Sequence, residues 1–549
     1  MEDIIDTVKN APSDIEKIDI IKTIKDDKTK EKAIMLLEDD NNKLLMAKTL
    51  EHEYARARIY LKLLKNEELL DTIIDYTKEF NNQRYAIQII KTIPMERYEK
   101  TINALADIYI GIENADEFAM EEATRVLKTI FYKLTMANPQ FTFVAFLEKI
   151  KNDYAKASVI TNITNPEVVD EYAGKLIING LPNNMEEKRK SLVTIEDEEL
   201  RKKVDLIYST PEELQELMDV SNVKPIGLPE EMTLGTEIEA EGELTSVFRG
   251  AKIFNKWVAV EDGSLRKGVE IVSPILHDTQ NDMIELYMIC EIMKRLGLIT
   301  TERCGGHVHI GAKYLDTKQS FANFITLWLA NEETIFRICN PSGEKFRDGT
   351  NHYAKPISIR YGDVDKTIFK AISEAKTRDE LVKIIQNFQR SHYNGLNLDN
   401  INSKEKDTIE FRISNGTLDF FEIQNNKRLY GRLMQRSKEM AVLQEKIENI
   451  SEEEHHRLLN FERLCNPEYK KEKDEQLLID FLFKEDERSI YVKRFNDSGK
   501  NLEDIQQMFN LEAYEKLYQI LKPKEKDFTD VLRSLKSLLK DESEVEKDG

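Results

Sequence analysis

Cysteine is scarce in this chain: four residues, at 290, 304, 339 and 465, among 549. None is spaced as CxxC or as a paired zinc-binding set, and so few thiols exclude a disulfide-stapled scaffold. They read as reduced thiols of a cytoplasmic protein. No apolar run attains the roughly 20 residues that cross a bilayer. The amino terminus, Met-Glu-Asp-Ile-Ile-Asp, lacks the basic n-region and apolar h-region of a secretory signal. Positive charge is short as well: 80 Lys and Arg against 101 Asp and Glu leave a formal net charge of −21. That deficit argues against general nucleic-acid binding, which needs a basic face for phosphate, and nothing points to a membrane. The expectation is a soluble intracellular protein of about two to four domains.

Glycine is sparse before residue 222, and abundant Lys, Glu, Leu and Ile give that stretch an almost wholly helical texture. Glu-Tyr-Ala-Arg-Ala at 53–57 returns as Asp-Tyr-Ala-Lys-Ala at 153–157, and Ile-Ile-Lys-Thr-Ile at 20–24 returns at 89–93. Short helices with degenerate repeats suggest a solenoid-like stack of helical hairpins; the plainer alternative is an irregular helical domain with chance similarity. Pro225, Gly227 and Pro229 then punctuate the chain. Strand patterns follow at 233–243, 256–261, 268–273, 305–311, 392–398 and 408–414, interleaved with helical patterns at 279–296, 317–338 and 364–390. From about 424 the pattern is charged and helical, with a short strand read at Ser489–Val492. The chain is therefore expected to be multidomain: an α-helical repeat-like domain over 1–222, an α+β domain over 230–425 and a helical extension over 426–540.

The α+β stretch carries polar alternation. Between 234 and 243, Glu237, Glu239 and Glu241 fall on every second position, so a strand points three carboxylates to one face and Ile238 and Ala240 to the other. Stacked like charges destabilise a sheet unless positive charge sits over them. His307 and His309 flank Val308 in the same manner, and Glu410 and Arg412 flank Phe411. A hairpin pattern over 261–273 has Asp262 and Ser264 in its turn and Glu270 on its return strand. Each feature has a bland reading: a solvated edge strand for the glutamates, a hydrogen-bonded pair for the histidines, a surface ion pair for Glu410 and Arg412. If the strands adjoin, however, one face gathers carboxylates, imidazoles and a guanidinium. Carboxylate oxygens with one imidazole suit Mg²⁺ or Mn²⁺ better than a structural zinc. Cys304 precedes the histidine strand with no base placed to activate it and reads as structural.

In chain order, Gly-x-Glu-x-Glu at 235–239, Asp-Gly-Ser at 262–264, Glu-x-x-Ser-Pro at 270–274, His-Val-His at 307–309 and Glu-Phe-Arg-x-x-Asn-Gly-Thr-Leu-Asp at 410–419 resemble the amidoligase family. That family belongs with glutamine synthetase and glutamate–cysteine ligase. Leu396-Asn397-Leu398 is similar to its Leu-Asn element, and Arg347 with Asn351-His352-Tyr353-Ala354 to the segment linking its central helices. The resemblance spans roughly 230–425 and implies a glutamine-synthetase-like curved antiparallel sheet with helices, binding ATP and Mg²⁺, with Mn²⁺ as a substitute. It implies Glu237, Glu239, Glu270, His307 and Glu410 as metal ligands and His309 on the nucleotide phosphate. Arg412 would stabilise the transferring phosphoryl group, Arg347 and Asn397 would assist nucleotide binding, and Asp262 and Ser264 would lie at the substrate rim.

The implied activity is ATP-dependent joining of a carboxylate to an amine through an acyl-phosphate. The acceptor is a small molecule, peptide or protein, and the helical module binds the target or a protein partner. Two further readings stay open: a non-catalytic nucleotide-binding scaffold, and a phosphotransferase on the same fold. A metal-dependent hydrolase built on the His-x-His pair is the least favoured, because the other histidines have no companion motif.

Overall fold

Asp14, Asp27, Asp40 and Glu53 recur at intervals of 13 residues, and each is the first residue of a helix: Asp14–Lys22, Asp27–Ile34, Asp40–Ala47 and Glu53–Leu63. A carboxylate there lies at the positive end of the helix dipole. It also reaches further. Asp14 accepts the backbone N–H groups of Glu38 and Asp39 at 2.9 Å, immediately before the helix two places along. Asp27 does the same for Glu51 and His52 at 3.2 and 2.6 Å, and Glu53 for Asn81 and Asn82 at 2.7 and 2.8 Å. Asp40 accepts from the Asn66 side chain at 3.2 Å. Each helix start thus anchors the start of a later one, satisfying backbone donors that a helix leaves open.

The two sequence repeats fall at matching places in this scheme. Asp153 opens the helix Asp153–Asn162 as Glu53 opens its own, and accepts the N–H of Asp197, the N-cap of Glu198–Tyr208, at 2.7 Å. The two Ile-Ile-Lys-Thr-Ile segments both end helices, where Thr23 and Thr92 each donate a hydroxyl 2.7 Å to the carbonyl three residues back. One feature departs from the all-helical expectation. Glu167–Asp170 and Gly174–Ile177 pair as an antiparallel hairpin, a segment too short to alter the helical texture around it and carrying the β-branched pair Val168-Val169.

The computed structural model describes residues 2–93, 97–109, 117–163, 167–170, 174–177, 185–265, 267–340, 353–357, 374–389, 393–466 and 475–498. They fall into two units, one formed by Met1–Thr210 with Gly242–Asn255 and the other by Pro211–Glu241 with Lys256–Gly549. The second carries the sheet. Its strands β1 (Leu234–Glu241), β2 (Trp257–Val260), β3 (Gly268–Val272), β4 (Gly305–Gly311), β5 (Leu396–Asn397) and β6 (Thr408–Asn415) lie in the order β2-β3-β1-β4-β6-β5, all neighbours antiparallel.

Helices α1 (Gln280–Arg295), α2 (Lys318–Cys339), α3 (Arg378–Gln389) and α4 (Phe420–Glu445) follow the same chain. α2 packs along α4, and β6 and β4 contact these two helices. The residues between the polar pairs, Ile238, Val308 and Phe411, are all buried. Phe411 stacks on Tyr430 at 4.3 Å between centroids and meets Trp328 at 5.5 Å. Alternation thus assigns one face of the sheet to the core and frees the other for the charged side chains.

The short strand expected at Ser489–Val492 is instead part of the helix Glu485–Asp497. Acidic residues fill its first turn, and Tyr491 and Arg494, three apart, are buried on one side; four residues of mixed apolar pattern do not separate the two periods. Of the helix expected over 364–390, only the part from 374 lies within the described residues, where Arg378–Gln389 is helical. No described helix is long and apolar enough to cross a membrane, and the four cysteines are free and buried.

Candidate functional site

Strand register brings the polar pairs together. Glu237 stands opposite His307 across β1 and β4, Glu239 opposite Glu270 across β1 and β3, and His309 opposite Glu410 across β4 and β6. Asn397 on β5 stands opposite Glu410 in turn. A single glutamate pair on an edge strand would be solvated. Here Glu237, Glu239, His307, His309 and Glu410 are all at most 9% exposed, on central strands. The solvated-edge reading does not describe these residues.

Glu237 is the hub. Its Oε2 lies 3.0 Å from His307 Nδ1 and its Oε1 3.1 Å from His309 Nε2. Glu239 Oε1 is 3.5 Å from His307 Nε2, and Glu410 Oε1 3.7 Å from His307 Nδ1. The Arg412 guanidinium donates to Glu410 Oε1, while Asn397 Nδ2 donates to Oε2 at 2.7 Å. The Thr408 hydroxyl is 3.2 Å from His309 Nδ1. Gly235 lies opposite His309, and a Cβ there would stand 3.2 Å from the histidine Cβ, so the glycine leaves room for the ring.

The carboxylates do not titrate alike. Burial pushes Glu237 up, but hydrogen bonds from His307 and His309 outweigh it and hold this carboxyl well below the usual range. Burial also acts on Glu410, where the charges of Arg412 and the two histidines prevail and keep it low. Glu270 fares otherwise: burial first, then the neighbouring Glu237, Glu239 and Asp262, push it up to about 8, the opposing charge of Lys406 being too weak to hold it down. One face therefore carries ionised carboxylates beside one that retains its proton at neutral pH, a charge arrangement that a cation would relieve.

Three groups bring ligand atoms within 4.8 Å of one another: Glu237–His309–Glu410, Glu237–Glu270–His307 and Glu239–Asp262–Glu270. The donor set fits a divalent cation, and His307 Nε2 is buried without a hydrogen-bond partner. The tautomer that donates Nδ1–H to Glu237 leaves a lone pair on Nε2, as in metal-ligating histidines whose second nitrogen is held by a carboxylate.

The structure therefore gathers Glu237, Glu239, Glu270, His307, His309, Glu410, Arg412, Asn397 and Asp262 in one region. Ser264 is exposed in the β2–β3 turn, where its N–H donates to Asp262 at 2.7 Å. Arg347 lies outside the described residues, as does His352. Glu241 is held away from the cluster: Arg303 donates to both its oxygens at 3.1 and 2.9 Å, and the Thr301 hydroxyl at 2.9 Å.

Two neighbours were not singled out from sequence. Thr408 precedes Glu410 by two residues, and Lys406, two earlier again, sets its ammonium 3.7 Å from Glu237 Oε1. For Thr408 the signal was the alternation itself, read backward from Arg412 through Glu410; Lys406 lies before the strand, beyond Asp407.

Residues 199–434, which contain every residue of this face, match the family model described as "Putative amidoligase enzyme". The match points to a ligase of the amide-forming kind. Among curated proteins none matches the chain.

Proposed function

We propose that the amidoligase-like segment is an ATP- and Mg²⁺-dependent carboxylate–amine ligase working through an acyl-phosphate. The observation that carries this reading is the convergence, from four adjacent strands, of four buried or half-buried glutamates and two histidines beside Arg412. The core of this arrangement would be read as the curved, glutamine-synthetase-like sheet of such ligases.

In the proposed reaction a substrate carboxylate oxygen attacks the γ-phosphorus of ATP, and the bond to ADP breaks. The amine then attacks the acyl carbon, phosphate departs with the C–O bond electrons, and the amine loses a proton. Glu237, Glu239, Glu270, His307 and Glu410 would hold divalent cations, which when bound would supply positive charge to neutralise the phosphates. Arg412, fixed by Glu410 on one side and by the Tyr353 carbonyl at 3.4 Å on the other, is suited to the charge that develops on the transferring phosphoryl group. His309, steered by Glu237 and Thr408, is suited to a phosphate oxygen. Asn397 is engaged with Glu410 and would act by orienting that carboxylate, and Asp262 would join the substrate side of the cluster with Ser264 at its rim.

The direct test is ADP release with panels of carboxylates and amines. Arg412→Ala should lower turnover by about a hundredfold or more, the scale of losing one charged transition-state donor, and Arg412→Lys should restore only part of it because a point charge replaces a fork. Turnover unchanged in Arg412→Ala would sink the catalytic assignment. Mass spectrometry of the product separates amide formation from phosphorylation. We read the N-terminal helices as a solenoid on the strength of the 13-residue recurrence, with target or partner binding as its role; cross-linking of that unit to substrate proteins tests this part.

A further inference from the structure

Lys406 is a cation of the site that is rooted outside the sheet. Its ammonium lies 3.7 Å from Glu237 Oε1, the same oxygen that faces His309 Nε2 at 3.1 Å. Glu237 belongs to two of the three candidate ligand groups, so the ammonium sits over the carboxylate that a divalent cation would engage. The Lys406 side chain is 54% exposed, against 11% for Glu237.

Its backbone, by contrast, is tied down. The Lys406 N–H donates to Ser403 Oγ at 3.1 Å. Asp407, in the left-handed region at φ 43°, accepts the Asn402 N–H at 2.8 Å, and its carbonyl accepts the N–H of Ala312, the residue after β4, at 3.0 Å. A fixed root with an exposed four-carbon stem lets the ammonium pivot while the loop stays in place.

We propose that Lys406 is a displaceable counter-ion. It balances Glu237 before the metal arrives, is expelled by the cation's charge, and then pairs with the nucleotide phosphate that the cation brings. The inference rests on the ligase reading for the identity of that phosphate. Like charge within a few ångströms is unfavourable, and the nearest new anion for a stem rooted there is the phosphate over the same carboxylates.

The two roles predict opposite effects of one substitution. Lys406→Met removes the competitor and should tighten Mn²⁺ binding, read by electron paramagnetic resonance titration without nucleotide, by about threefold, the scale of a partly exposed ion pair. It should weaken binding of a non-hydrolysable ATP analogue in saturating Mn²⁺ by about tenfold, the scale of a lost charge-assisted hydrogen bond. Lys404→Met, on the same loop and also exposed, should change neither affinity; it controls for bulk charge. Both affinities within twofold of wild type in Lys406→Met, or both moving in the same direction, would overturn the proposal while leaving the ligase reading intact. Wild-type protein that binds neither Mn²⁺ nor the analogue would overturn both, and that outcome is visible before any variant is made.

Discussion

At the scale of single residues, the site is organised by unequal treatment of similar carboxyls. Glu237 is held ionised by hydrogen bonds from two histidines and Glu410 chiefly by Arg412, whereas Glu270 is buried among like charges and is raised to about 8. A carboxyl whose folded-state pKa exceeds its unfolded value binds its proton more tightly when folded. Its contribution to stability is therefore full below about 4.5 and is lost as pH rises to about 8. A cation bound at Glu270 must displace that proton, so metal affinity should climb by up to about tenfold per pH unit below 8 and level off above it. Thermal denaturation with and without Mg²⁺ checks this: the metal-induced rise in Tm should be larger near pH 8.5 than near pH 6.5 and should lose its slope in Glu270→Gln. An Mg²⁺ effect independent of pH in the wild type would show that Glu270 is not a ligand.

At the scale of elements, alternation made the sheet readable. Glu237, His307 and Glu410 were visible as polar members of i,i+2 pairs because Ile238, Val308 and Phe411 face the core. Pairing partners far apart in sequence were not visible: Arg303 is 62 residues from the Glu241 it neutralises, and no local pattern links them. Lys406 was hidden by Asp407, whose positive φ breaks the strand pattern just before Thr408. The 13-residue recurrence went unseen because only the acid that opens each helix is repeated. That acid has a measurable worth. Asp27→Ala removes acceptors from the N–H groups of Glu51 and His52 and should cost about 0.5–2 kcal/mol, with hydrogen exchange accelerated at the start of Glu53–Leu63 and ADP release unaffected. Within the sheet, Gly235→Ala should act the other way. A Cβ 3.2 Å from that of His309 should shift the ring and lower turnover by about tenfold, with only a small change in Tm.

At the scale of the whole chain, the two compact units are not divided by a single cut. The chain enters the second unit at Pro211, leaves it at Gly242, and returns at Lys256, so β1 and β2 are joined by a segment that groups with the first unit. In that segment Leu244, Val247 and Phe248 are at most 6% exposed. The short helix Thr245–Phe248 lies against Asp153–Asn162, and a Cβ on Gly250, at φ 78°, would come within 2.8 Å of Asn162 Oδ1. A fragment beginning at Pro211 would bare those side chains, each worth about 1.5–3 kcal/mol of burial. Such a fragment should bind a hydrophobic dye and aggregate. Replacing residues 243–254 in it by a short Gly-Ser linker should restore a monomer that still binds Mn²⁺, because none of the candidate ligands lies in the replaced stretch. An unmodified fragment that is monomeric and dye-free would show that the excursion does not depend on the first unit for its burial.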